Sequence, residues 1–316
     1  MKYCLFFCFF FLSFFIFSQQ KFSKEISLVS DNDLYVSIDR DRYYTNGMFL
    51  TYKYLSKNKN ESLEKKIIEW QIGHEMFTPN KSIVKTINEH DRPFAGYLYG
   101  SFGINNVYKK NKILSTAIQI GFIGSTSFSE ELQNFIHDIY GFENIPGWKH
   151  QIKNALGLNF DATYISSLYK NENDTFDIAW VNDARLGTVY TNISSGVYMR
   201  LGFLPLQKIM NTIAFNTNLN NKNTSFKREK EAFFYIKPTL RYALYDATLQ
   251  GSFLNKNSEV TKELITLVFN VELGFKFTAG RLNYGYTFNY NTNKSKDLKF
   301  TYGHKYGSIN VNYLLR

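Results

Sequence analysis

Long segments in which apolar and polar side chains alternate residue by residue constrain this chain more than any other feature. In RLNYGYTFNY (281–290), Leu282, Tyr284, Tyr286, Phe288 and Tyr290 share one face, and Asn283, Gly285, Thr287 and Asn289 share the other. The same pattern places Leu267, Phe269, Val271, Leu273, Phe275 and Phe277 against Asn270, Glu272, Gly274, Lys276 and Thr278. It returns in 234–244 and in the last strand, where Ile309, Val311, Tyr313 and Leu315 oppose Ser308, Asn310 and Asn312. A two-residue period is that of a β-strand with two unlike faces. A soluble sandwich also alternates. Here the strands run to about ten residues or more, carry aromatic ends and place full charges on the polar face, as in a membrane barrel with a polar lumen.

The first residues, MKYCLFFCFFFLSFFIFSQQ, point the same way. Lys2, an unbroken apolar core and then Ser18 with polar residues form the pattern of an export signal, 1–18, ahead of a barrel domain, 19–316. Both cysteines, Cys4 and Cys8, lie inside it, so the mature chain is expected to have no disulfide, thiolate metal site or cysteine nucleophile. Losing Lys2 takes the formal charge from +10 to +9. A basic exported protein suits an anionic partner, lipid phosphate or nucleic acid, although plain solubility explains the charge equally well.

Twelve strands are expected, near 25–33, 44–55, 66–76, 96–108, 112–123, 150–169, 174–190, 193–203, 231–244, 264–278, 280–291 and 305–316. The predicted fold is thus all-β: a twelve-stranded antiparallel transmembrane β-barrel with a short helix in an extracellular loop. An even count returns both termini to the periplasm. SKNKNESLE, KKNK and NEND then become periplasmic turns, and 34–43, 77–95 and 124–149 become extracellular loops. Segment 204–230 breaks the pattern, because it is long yet falls on the periplasmic side.

SEELQNFIHDIYGFE (129–143) is the expected helix. Leu132, Phe135, Ile136, Ile139 and Tyr140 form one apolar stripe. Ser127 with Glu130 fits a capping box, and Gly141 fits a C-terminal stop. His137 falls opposite the stripe with Glu130 and Gln133, so the polar face is expected to turn toward whatever occupies the mouth. Two further polar clusters open on the same side: SDNDLY with RYYTNG, containing Asn32, Asp33 and Thr45, and the second loop, containing Lys81, Lys85 and Arg92. Each alone is explained by turn formation or solvation. No G-x-S-x-G elbow occurs. The remaining route to ester hydrolysis is a histidine that activates water, with a hard cation on oxygen ligands opposing the developing oxyanion. Asp33, Thr45, Gln133 and Glu143 offer oxygens that suit Ca²⁺. His74, His90, His150 and His304 read as structural or solvated.

Together, SDNDLY (30–35), RYYTNG (42–47), DRPFAGYLY (91–99), SEELQNFIHDIYGFE (129–143) and PGWKHQIKN (146–154) resemble the outer-membrane lipid A 3′-O-deacylase family. The resemblance spans 30–154; the later strands share only length and alternation. It implies an active site between the barrel wall and a loop helix, and Ca²⁺-dependent release of the 3′ acyl chain. By motif position, Asn32, Asp33, Thr45, Gln133, His137 and Glu143 take the catalytic places, with Asp33 and Glu143 near the metal. Lys81 or Lys85 takes the basic place in the second loop, and Lys81, Lys85 and Arg92 are expected to hold lipid A phosphates. The implied partners are lipopolysaccharide and outer-membrane lipids, with no nucleic acid, for a monomeric protein. The competing readings are a passive pore or adhesin barrel and an outer-membrane phospholipase. The chain departs from common barrels in ending Tyr313-Leu314-Leu315-Arg316.

Overall fold

A barrel leaves no strand edge, which is the condition for burying β-structure in lipid. The computed structural model meets it. It describes residues 21–36, 42–81, 83–84, 86–141, 145–224 and 230–316. The expected export signal lies outside them. Twelve antiparallel strands run in order: β1 (Lys24–Asn32), β2 (Tyr43–Ser56), β3 (Leu63–Thr78), β4 (Ala95–Tyr108), β5 (Lys112–Ile123), β6 (Ala155–Lys170), β7 (Phe176–Gly187), β8 (Tyr190–Gly202), β9 (Ala232–Asp246), β10 (Leu267–Ala279), β11 (Leu282–Asn291) and β12 (His304–Leu315). Each pairs with its sequence neighbours, and β1 closes on β12 from Lys24↔Leu315 to Asn32↔Gly307.

Alternation sets the two faces. Ile26, Leu28, Leu50, Trp70, Ile72, Phe102, Ile118, Ile120 and Phe122 stand exposed on the outside. Glu25, Ser27, Thr51 and Lys53 point inward and are buried. Lipid solvates the first set, whereas a charge placed among them costs roughly 2–4 kcal/mol at mid-bilayer. In the lumen, Lys53 lies 3.7 Å from both Glu25 and Glu69, and Lys237 bonds Glu272 at 3.0 Å.

The strand count holds, and the long connection after β8, described at 203–224 and 230–231, is a genuine periplasmic excursion. It folds back into the barrel and closes its periplasmic end. Leu206, Ile209, Ile213 and Leu219 pack with Phe22, Ile67, Val107 and Ile113 from the wall and N-terminus. Lys65 donates to Met210 O, Asn211 Oδ1 and Thr217 O at 2.8–2.9 Å. Arg200, 1 % exposed, donates to both oxygens of Asp177, to Thr212 and to Gln207 O, and lies 3.6 Å from Glu231. Burial raises the Glu231 carboxyl above its usual range despite Arg200. The alternation pattern offers no sign of this plug, because its residues are anchored one by one rather than periodically.

Candidate functional site

Parity along the strands decides on which side of the wall each candidate sits. On β3 the outward residues are Trp70, Ile72, His74, Met76 and Thr78; on β1, Ile26, Leu28 and Asn32 share the outward parity. A bulge between Tyr44 and Asn46 of β2 breaks the register there. It turns Tyr44 into the lumen, where its hydroxyl bonds Asp31 Oδ2 at 2.9 Å. Thr45 is left beside Thr78, with their hydroxyl oxygens 2.6 Å apart and both residues buried. A bulge that re-aims a side chain is a usual device at a rim.

One row then crosses the wall: Asn32↔Asn46↔Met76↔Gly96. Three interstrand spacings of about 4.8 Å make it roughly 14 Å long. At its far end a Cβ on Gly96 would lie 1.9 Å from Ser129 Oγ and 2.1 Å from Ser127 Oγ, so only glycine admits the segment docked there. That segment begins the helix α1 (Ser129–Tyr140), and His74 Nε2 fastens it through Ser129 Oγ at 2.9 Å and Ser127 O at 3.1 Å. The helix therefore lies against the outside of β3 and β4, at the extracellular rim.

Its orientation corrects the sequence expectation. Gln133 (3 % exposed) and His137 (8 %) face the wall, while Phe128, Phe135 and Ile139 stand more than 60 % exposed. Leu132 of the stripe packs inward, but Phe135 and Ile139 do not pack on protein, because the neighbouring surface is the lipid-facing column that ends at Ile72 and Phe122. An apolar stripe facing outward from a membrane barrel meets acyl chains. The expected capping box is also not formed. Phe128 is the N-cap in left-handed conformation with no side-chain cap bond, and Ser127 Oγ bonds Gly124 O instead. Gly141, at φ 72°, ends the helix as expected.

Between helix and wall lies a small apolar cluster of Met76, Val84, Phe94, Ile145 and Trp148, with Leu132 packed against it. Trp148 Nε1 donates to Gln133 Oε1 at 2.8 Å. At the other end of the row, Asn32 caps a short turn by accepting Leu34 N at 2.7 Å, and Asp33, 2 % exposed, accepts Arg42 N through Oδ2 at 2.7 Å. With its oxygen engaged, Asn32 keeps its amide N–H groups free to donate. Asn46 was not foreseen. Its Oδ1 is buried with no hydrogen-bond partner, beside Asn32 and Thr45.

The structure thus gathers Asn32, Asp33, Thr45, Gln133 and His137 on the outer wall at one rim. Lys81 is exposed in the neighbouring loop, where Asn80 N bonds Asp91 Oδ1 at 2.9 Å. Lys85 and Glu143 lie outside the described residues. Arg92 does not join the outer-wall group expected of it. It is buried on the lumen side, over Phe77 at 4.5 Å, and donates to Thr248. Its motif gives no parity, since it precedes β4 by a turn. His90 bonds Thr86 O and His150 bonds Glu259, both structural roles.

An oxygen-seeking cation fits the Asn32 end of the row. Asp33, Thr45 and the unpartnered Asn46 oxygen offer carboxylate, hydroxyl and amide donors, the set that suits Ca²⁺. Among the described residues no three His, Cys, Asp or Glu cluster as a zinc site needs.

A family model described as "Outer membrane protein LpxR" matches residues 5–315. The solved structure of LpxR from Salmonella typhimurium superposes with a TM-score of 0.73 at 18 % identity, covering 92 % of this chain and 100 % of that one. The β domain of the Bordetella autotransporter Brka gives a TM-score of 0.43 at 7 % identity, covering 93 % of this chain and 99 % of that one. No curated protein sequence matches the chain.

Proposed function

The chain belongs to the LpxR family of outer membrane proteins, and from that premise we propose that it is a lipid A 3′-O-deacylase acting from the outer face of its barrel. The observation that carries this reading is the placement of Gln133 and His137. Both are buried between the helix and the wall, at the rim where the lipid-facing column ends.

In the proposed reaction His137 takes a proton from a water molecule as that water's oxygen bonds the ester carbonyl carbon. The tetrahedral intermediate collapses by breaking the bond to the lipid A oxygen. His137 returns the proton to that oxygen, leaving a fatty acid and a free 3′ hydroxyl. Gln133, held by Trp148, keeps the helix face in register with the wall. Asn32 donates an amide N–H to the carbonyl oxygen as it gains charge. Asp33 with Thr45 and Asn46, joined by Glu143, would hold Ca²⁺, which when bound supplies further positive charge to that oxygen. Lys81 and Lys85 hold the phosphates, where charge-assisted hydrogen bonds are strongest in a partly desolvated site.

The plug formed by 206–219 speaks against a passive pore, since it packs against the wall at the periplasmic end. A phospholipase differs only in substrate. Incubating purified protein with lipid A, and separately with phosphatidylethanolamine, with and without Ca²⁺, and weighing the products distinguishes the two. Loss of one 3′ acyl chain from lipid A alone supports the proposal; cleavage of phospholipid alone overturns it.

A further inference from the structure

The lumen side of the rim carries a second constellation, separate from the outer-wall site. A cavity of about 30 Å³ is lined by Tyr43, Tyr44, Arg92, Lys294, Ser295 and His304 among others. By the criterion that a water needs about 10–15 Å³, it has room for roughly two waters or one compact anion. Three buried polar atoms in this lining have no hydrogen-bond partner: Arg92 Nε, Ser295 Oγ and His304 Nδ1. Their residues are 5 %, 1 % and 9 % exposed. The Lys294 ammonium forms no hydrogen bond or ion pair with any described residue; only its backbone oxygen is engaged, by Ile265 N at 2.9 Å. The nearby carboxylates are engaged elsewhere. Asp91 accepts from Tyr43, Asn80 N and Lys299 N, and Asp246 accepts from Thr248.

Two cations and a hydroxyl thus converge with no carboxylate bonded directly to the Arg92 Nε–H or the Lys294 ammonium; Asp246, Asp91 and Glu75 act on them only from a distance. Leaving buried charge uncompensated is costly. Burial first, with repulsion from Arg241 and Arg92 and opposing attraction from Asp246 and Glu75, brings Lys294 down to about 8, and burial brings Arg92 to about 10. The guanidinium is pinned by Thr248 and the Phe77 ring, which fixes where Nε–H points. His304 Nε2 lies 3.1 Å from Tyr44 O, so the neutral ring donates there and offers Nδ1 as an acceptor.

We propose that this cavity binds a phosphate group that retains one acidic hydrogen. Arg92, Lys294 and Ser295 donate to its oxygens, and its own O–H donates to His304 Nδ1. Tyr44 and Lys294 also line the adjoining cavity of about 470 Å³ in the outer lumen. Because the plug closes the periplasmic end, the ligand arrives from outside, as free hydrogen phosphate or as a phosphate carried on a saccharide.

The test is the thermal unfolding midpoint of the full chain in detergent at fixed ionic strength and about pH 6, where roughly half of a phosphate monoester still holds its second proton. Inorganic phosphate, glucosamine 1-phosphate and sulfate are titrated in turn. The expected result is a saturable rise with phosphate or the sugar phosphate, and a smaller one with sulfate, which has no acidic hydrogen at that pH. The arm that saturates at lower concentration identifies the natural source. Lys294→Met should fold with a midpoint at or above that of the parent without phosphate, and should lose the saturable rise. Ser295→Ala should need about tenfold more phosphate for half saturation, the equivalent of about 1.4 kcal/mol. No rise in the parent, or an undiminished rise in Lys294→Met, overturns the site.

Discussion

Trp148 Nε1 donates a 2.8 Å hydrogen bond to Gln133 Oε1, and that bond ties the inward face of α1 to the cluster on the outer wall. Trp148→Phe keeps most of the volume but removes the donor. Losing a partner of a buried acceptor costs about 1–3 kcal/mol. Deacylation should fall at least fivefold, while the heat-modifiable mobility of the folded barrel in gels stays unchanged. Equal activity in this variant would show that the bond does not position the helix.

The exposed stripe of Phe128, Phe135 and Ile139 continues the lipid-facing column above Ile72 and Phe122. Phe135→Trp therefore reports on acyl chains. In liposomes its extra emission should be blue-shifted and strongly quenched by lipids brominated along the chain. Red emission, untouched by brominated lipid, would place the stripe in water.

Asn46 is the residue that sequence patterns do not single out. If its orphaned oxygen completes the cation site, Asn46→Ala should raise the Ca²⁺ needed for half-maximal activity about tenfold, or about 1.4 kcal/mol, and Asp33→Asn should raise it further. A calcium chelator should abolish the parent activity. Identical Ca²⁺ curves for parent and Asn46→Ala would remove that ligand.

The plug predicts a silent barrel. Purified protein in planar bilayers should show no steady conductance. Arg200→Met strands Asp177 and Glu231 without their counter-ion, a change that costs about 3–5 kcal/mol for buried pairs. Its unfolding midpoint should drop markedly, with brief conducting openings as the plug around Gln207 and Thr212 loosens. Steady conductance in the parent would mean that the lumen is open.

Much of this architecture is legible from residue order, and the exceptions share a cause. The twelve strands appear because lipid outside and charge inside impose a two-residue period, seen most clearly from Leu267 to Tyr290. The helix, its Gly141 stop and the common side of Asn32, Thr45 and His137 follow from spacing and strand parity. Its orientation does not. Amphipathicity separates the Phe135–Ile139 face from the Gln133–His137 face, but it cannot say which face meets protein when lipid competes as the apolar partner. The bulge at Tyr44–Asn46, the plug contacts of Lys65 and Arg200 and the lumenal position of Arg92 depend on contacts between residues tens to hundreds of positions apart, which no local period records.

The account turns on His137 as the base. Lipid A incubated with His137→Ala protein, with Ca²⁺ present and the barrel shown to be folded by heat-modifiable mobility, should retain its full mass. The parent should remove one 3′ acyl chain under the same conditions. Release of that chain at the parent's rate by the His137→Ala variant would contradict the mechanism.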